Sequence, residues 1–170
     1  MDFIQLAKKR YSVRKYENRP VEDEKLQLIL EAGRVAPTGA NRQPQHLIVC
    51  RTTEGLTKLR NSVNFFGAPL AIVICVDRDK AWVRPMDKKN ITDIDASIVC
   101  DHMMLEATDL GLGTCWICYF KADAMQKDFN LPENMVPVNV LAIGYPAEPA
   151  ASPDRHSTER NPVESMVRYE

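Results

Sequence analysis

Residues 93 to 110, DIDASIVCDHMMLEATDL, constrain this chain more than any other stretch. They have helical length and few breakers, and Ile94, Ile98, Val99, Met103, Leu105, Ala107 and Leu110 spread round much of the circumference. A helix that is apolar on most sides is buried on most sides. The chain has 170 residues, enough for one domain but not for a cofactor domain plus a separate substrate domain. The helix is therefore expected at the centre of that domain, its remaining apolar surface covered by a partner subunit. Gly111 and Gly113 end it.

The other elements arrange themselves around this segment. Phe3, Leu6 and Ala7 share a face, which predicts a short amphipathic helix over 2–10. A polar turn runs from Arg10 to Pro20. Leu26, Ile29, Leu30 and Gly33 fall at i, i+3, i+4 and i+7, so a second helix spans 21–35, with Glu22, Asp23 and Glu24 suiting its positive end. Residues 46–50, HLIVC, read as a strand, and 54–64 as a weak helix. Leu70 to Val76 is a short Ile- and Val-rich run, as a strand buried on both faces requires. Residues 77–90 form a charged loop. Strands over 114–120 and 138–144 flank a short helix over 123–129. The whole gives an α+β or α/β sandwich with about four strands. From Tyr145 the character changes to a proline-punctuated tail, so residues 1–145 read as the domain body and 146–170 as a tail lying on a surface.

Charge and cysteine content exclude several function classes. Lys and Arg number 22 against 23 Asp and Glu, giving a formal net charge of -1, without the basic surplus of a dedicated nucleic-acid binder. The longest apolar run, Ala68 to Val76, is far short of the roughly 20 residues of a membrane span. The beginning of the chain shows no signal-peptide pattern, and a cytoplasmic location is expected. Five cysteines, Cys50, Cys75, Cys100, Cys115 and Cys118, are odd in number and mostly apolar in context, as reduced thiols are.

Three segments carry chemistry. Arg10-Tyr11-Ser12-Val13-Arg14 puts two forked cationic donors and a hydroxyl at a helix end, a pattern matched to phosphate oxygens. The same residues also fit a solvated basic turn. Ala36-Pro37-Thr38-Gly39-Ala40-Asn41-Arg42-Gln43-Pro44 is an irregular turn with amide side chains, which donate and accept together as a pyrimidine or imide edge requires. It fits an Asx-type connecting loop as well. Leu110-Gly111-Leu112-Gly113-Thr114-Cys115-Trp116-Ile117 closes a helix and lacks the third glycine of the dinucleotide fingerprint. Cys115-x-x-Cys118 sits on an expected strand, where i and i+3 face opposite sides, and zinc would need two more ligands, for which Cys100 and His102 are candidates without a second CxxC or an HxxxH. No metal site is expected.

Taken together and in order, these motifs resemble the flavin-dependent nitroreductase family: RYSVRKY, APTGANRQPQHLIV, GAPLAIVICVD, DIDASIVCDHMMLEATDLGLGTCWI, IGYPAEP and ERNPVESMV. The resemblance implies a dimeric three-layer α+β sandwich with a mixed sheet of four to five strands. It implies FMN bound non-covalently at a homodimer interface, with NADH or NADPH as reductant and an electron-poor acceptor such as a nitroaromatic or quinone, reduced in ping-pong order. It assigns Arg10, Ser12 and Arg14 to the phosphate, ribityl and pyrimidine region, with Tyr11 between them. Pro37, Thr38, Gly39, Asn41 and Gln43 belong to the loop that meets FMN from the other subunit. Cys115, Trp116 and Ile117 pass the flavin ring with their backbone, and Arg160 reaches the phosphate. Gln45 stands where many members carry an aromatic. No side-chain acid or base is implied, because the chemistry belongs to the flavin. The tail, 146–170, is expected to pack on the partner. Two other classes fit the residues: a flavin-storage protein of the same fold without turnover, and a cysteine-based redox or zinc protein.

Overall fold

A computed structural model describes residues 2–152 and 154–170. Its helices are α1 (Phe3–Lys9), α2 (Asp23–Val35), α3 (Thr53–Arg60), α4 (Thr92–Asp109), α5 (Ala122–Asp128) and α6 (Arg155–Thr158). Its strands are β1 (Gln45–Cys50), β2 (Leu70–Asp77), β3 (Gly113–Ile117) and β4 (Met135–Gly144). The four strands form one sheet in the order β1-β2-β4-β3, and every pairing is antiparallel. The parallel contribution to a mixed sheet is a single bridge, Ser12 to Thr114, on the outer edge of β3.

Strand β2 organises the core. All of its residues are buried, and they alternate between two clusters as the pleat demands. Leu70, Ile72, Ile74 and Val76 pack with α2 and α4, whereas Ala71, Val73 and Cys75 pack with α3 and β3 residues on the opposite face. The result is three layers: α1, α2 and α4, then the sheet, then α3 and α5. Each fully buried Ile or Val contributes on the order of 1.5–3 kcal/mol through removal of apolar area from water.

Helix α4 buries one stripe, Thr92, Ala96, Val99, Cys100, Met103 and Ala107, against the sheet and α2. Its opposite flank is only half covered, with Ile94 45% exposed. Gly33 of α2 faces Met103, and a Cβ there would lie 3.0 Å from its sulfur, so glycine sets how closely the two helices approach.

Several element ends differ from expectation, each for a local reason. Strand β4 starts at Met135 and takes in Pro137, which sits where the β2–β4 register shifts between Ile74 and Cys75. A proline has no N–H for the ladder and is accommodated at such an irregularity. Strand β3 stops at Ile117 rather than Phe120, since Lys121 turns to donate its N–H to the Ser62 carbonyl. The tail's first part packs on its own chain. Arg155 donates to the carbonyls of Lys8, Arg10 (2.8 Å) and Ser152 (2.8 Å), closing the end of α1. Beyond it, residues 157–170 are exposed throughout, including Val163, Met166, Val167 and Tyr169.

Candidate active site

The segment after α1 is held against β3 as a rudimentary edge strand. Val13 donates its N–H to the Thr114 carbonyl at 2.8 Å, and the Tyr16 hydroxyl donates to the Val13 carbonyl at 2.9 Å. Val13 is buried, so strand alternation turns the flanking Ser12 and Arg14 outward, and both are exposed. The close approach requires Gly113, where a Cβ would stand 2.6 Å from Val13 Cγ2 and 2.8 Å from Pro146 Cγ. Gly111 has a different task, a left-handed turn at φ 79° that lets the chain leave α4.

Positive charge accumulates here. Burial foremost, and then the fields of Arg155 and Arg160, push the Arg10 guanidinium below its ordinary value, with Asp101 opposing them. Like charges at such a spacing create a potential that an anion relieves. Beside Arg10 lies a cavity of about 290 Å³, lined by Tyr11, Thr108, Gly113, Thr114 and Glu148 among others. The Thr114 hydroxyl Oγ1 is buried at its wall with no hydrogen-bond partner.

On β3 itself, Cys115 and Ile117 point into the core beneath α3 and α5, while Trp116 lies on the α4 side. Trp116 Nε1 donates to Asn139 Oδ1 at 2.8 Å, and Cys118 Sγ donates to the same oxygen at 3.4 Å. The Thr114 carbonyl faces off the sheet toward Val13, and alternation places the Trp116 backbone on that same open edge. Of Cys115, Trp116 and Ile117, only Trp116 therefore has its backbone on the outer edge, and the N–H and C=O groups of Cys115 and Ile117 face β4.

The cysteines do not make a dithiol centre in this arrangement. Cys115 is buried and Cys118 exposed, on different sides of the strand. Burial raises the Cys115 thiol against the lowering field of Arg14, and pushes Cys50 up to about 11 and Cys75 up to about 12. Thiols held this high stay protonated near neutral pH and react poorly. Among the described residues no group of three or more His, Cys, Asp and Glu side chains could hold a metal ion. Brief treatment of the native protein with N-ethylmaleimide is expected to label Cys118 alone, with all five thiols labelled in denaturant; mass mapping of any of the other four as equally fast would contradict this assignment of burial.

The Pro37–Gln43 loop is built differently. It contains three non-glycine residues in the left-handed region, Ala40 (φ 48°), Asn41 (φ 54°) and Gln43 (φ 49°). Such residues cost about 1–3 kcal/mol each and persist where the surroundings over-determine them. Thr38 ties the loop internally, its carbonyl accepting from Asn41 N–H at 2.9 Å and its Oγ1 from Gln43 N–H at 3.0 Å. Asp95 anchors it to α4, with Oδ1 accepting the Gly39 N–H at 2.9 Å. The Asn41 and Gln43 side chains are left facing solvent.

Within one chain the candidate residues fall into two groups. Arg10, Tyr11, Ser12 and Arg14 lie at the exit of α4 beside the start of β3, from which Cys115, Trp116 and Ile117 run back along the helix, and Arg160's field reaches Arg10. Pro37, Thr38, Gly39, Asn41 and Gln43 gather at its entrance. The 18 residues of α4 span about 27 Å at 1.5 Å per residue, so the groups do not meet in one chain. Sequence reading passed over Arg155, Thr114 and Asn139, and read Asp95 as an ordinary first-turn acid. Asp95 does lie in the first turn of α4, yet it is fully buried and reaches another segment.

The profile of the Nitroreductase family matches residues 7–64 and 56–145. The chain therefore belongs to the nitroreductase family, and so to the oxidoreductases. A crystal structure of a nitroreductase family protein from Clostridium difficile 630 is 53% identical, covers 100% of this chain and 99% of its own, and superposes with a TM-score of 0.98. An FMN-dependent nitroreductase from Clostridium difficile R20291 is 30% identical over 98% of each chain, with a TM-score of 0.81. A Methanothermobacter thermautotrophicus protein, provisionally named an NADH dehydrogenase/NAD(P)H nitroreductase, is 32% identical over 94% of this chain and 85% of its own length.

Proposed function

We propose that this chain works as a homodimer with FMN in each seam between subunits, passing a hydride from NAD(P)H to an electron-poor acceptor such as a nitroaromatic or quinone in ping-pong order. The observation that carries the reading is the placement of the two groups of candidate residues at opposite ends of α4. A second copy running antiparallel along that helix sets the Pro37–Gln43 loop of one subunit beside the Arg10 segment of the other, twice over by symmetry. The surface supports such a copy. Phe3, Leu28 and Val35 are exposed around a groove of about 500 Å³ on the α1–α2–α4 side, lined also by Leu6, Leu105, Glu31, Asp101, His102 and Glu106, and Ile94 is exposed on α4. The exposed arm carrying Val163, Met166 and Tyr169 fits the same purpose, a tail reaching across a partner.

The residues fit FMN. Arginines crowd around Arg10, the buried Thr114 hydroxyl lacks a partner among the described residues, and β3 is an edge strand covered at Thr114 only by the Ser12 bridge. Bound FMN would supply the hydride chemistry. Arg10, Arg14 and Arg160 neutralise its phosphate with charge-assisted hydrogen bonds, joined by the Ser12 hydroxyl. The Trp116 backbone edge would hold the flavin ring, and the arginines would supply positive charge beside the cofactor. Asn41 and Gln43 close the site from the partner's loop. The reading assigns no side chain as proton donor or acceptor. It includes a cytoplasmic location: among the described residues no helix is long and apolar enough to cross a membrane.

The purified protein, reconstituted with FMN, is expected to show a flavin absorption band that bleaches on anaerobic addition of NADH or NADPH, and to sediment as a dimer. Bound FMN untouched by either nicotinamide would favour a flavin-storage role, and an FMN-loaded monomer would overturn the seam.

A further inference from the structure

We infer that Asp95 is a positioning residue, whose buried carboxylate holds the Pro37–Gln43 loop in its left-handed shape from below. Three independent observations converge on it. Asp95 is 0% exposed, an unusual setting for a carboxylate with no cationic partner among the described residues. Its Oδ1 takes the Gly39 N–H at 2.9 Å, whereas Oδ2 is buried with no partner among the described residues, so the carboxylate's directional bond goes to the loop. The helix does not need it as a cap, because Asn90 Oδ1 already accepts the Thr92 N–H at 2.9 Å.

The loop in turn is shaped for this anchor. A Cβ on Gly39 would stand 2.3 Å from Ile91 Cδ1 and 3.1 Å from Trp82 Cβ, so glycine lets the backbone descend onto the start of α4 where Asp95 can reach it. From that fixed point the chain climbs through Ala40 and Asn41 in the left-handed region, a path that the Thr38 bonds support but cannot fasten to the body of the protein. Asp95 supplies the fastening. It touches no reacting group; its effect passes through the Gly39 amide to the Asn41 and Gln43 side chains. The consequence for the cofactor rests on the reading that this loop meets FMN, whereas the consequence for loop shape does not.

The test uses Asp95→Ala, which removes the acceptor, and Asp95→Asn, which keeps a carbonyl oxygen at the same place. Trypsin is applied to the flavin-free protein and cleavage after Arg42 is followed by mass spectrometry. The unaltered protein and Asp95→Asn are expected to resist, and Asp95→Ala to be cut about tenfold faster or more, as a locally opened segment is. In parallel, FMN titration is expected to show affinity within about threefold of the original for Asp95→Asn and a loss of about tenfold or more for Asp95→Ala, as loss of a charged hydrogen bond would give. Equal resistance of Asp95→Ala at Arg42, or an Asp95→Asn loop as open as that of Asp95→Ala, overturns the assignment. Should Asp95→Ala fail to fold by circular dichroism, the Gly39 amide of the unaltered protein decides: exchange slowed by about 100-fold or more supports the anchor, and free-chain exchange refutes it. An unaltered protein that resists trypsin but binds no FMN would defeat the proposed function and leave the anchor standing.

Discussion

Replacing Arg10 by Ala is expected to weaken FMN binding by about 30- to 150-fold, the equivalent of roughly 2–3 kcal/mol for a charge-assisted hydrogen-bonded group. The same change should leave the flavin-free fold intact. The Arg10 backbone donates its N–H to the Leu6 carbonyl and accepts from Arg155 at its own carbonyl, and both bonds survive truncation of the side chain. In the absence of an anion the guanidinium is repelled by Arg155 and Arg160 and attracted only by Asp101. Truncation relieves that repulsion, so the melting temperature of the flavin-free protein should stay within about 2 °C of the original. Arg10→Lys keeps the charge but not the fork and should fall between the two. Fluorescence titration with FMN, paired with thermal melts without it, checks both halves; undiminished affinity in Arg10→Ala would remove the residue from the site.

Gly113→Ala should do the opposite, damaging the fold and the site together. The added methyl would meet Val13 Cγ2 at 2.6 Å and Pro146 Cγ at 2.8 Å, both parts of packed segments rather than free side-chain ends. Overpacking of this kind costs about 1–3 kcal/mol, a drop of roughly 2–12 °C in melting temperature for a chain of this length. It also prises the Ser12–Thr114 bridge apart, so FMN affinity should fall with it. Gly111→Ala is the informative control. Nothing lies within 4 Å of its Cβ position, so only the left-handed φ of 79° is strained, at about 1–2 kcal/mol. Differential scanning calorimetry of the two variants with and without FMN separates the effects; a Gly113→Ala protein that melts like the original and binds FMN normally would refute the packing argument.

The parts of the fold that were legible are those with strong local signals. Leu70 to Val76 is apolar without interruption because β2 is covered on both faces, and the run alone reports that. Helix α4 announces its centrality through residues on most of its sides, and Gly111 and Gly113 mark its end. What stayed hidden depends on contacts distant in sequence. Arg155 meets the Arg10 carbonyl across 145 positions, and Asp95 meets Gly39 across 56. No spacing rule reveals such pairs, and an acid in the first turn of a helix has a sufficient local explanation. Pro137 concealed the beginning of β4, since a proline ordinarily argues against a central strand unless a register shift absorbs it. The motifs themselves were readable as a set while being ambiguous singly, because each basic or amide turn also fits an ordinary connecting loop.

The separation of the two residue groups along α4 has a thermodynamic corollary. If each binding place is completed only by a second chain, ligand uptake and association become one linked equilibrium. By reciprocity, whatever factor pairing adds to flavin affinity, flavin adds to the strength of pairing. Occupancy would then depend on protein concentration as well as on the supply of FMN, and dilution would empty the seams by parting the subunits.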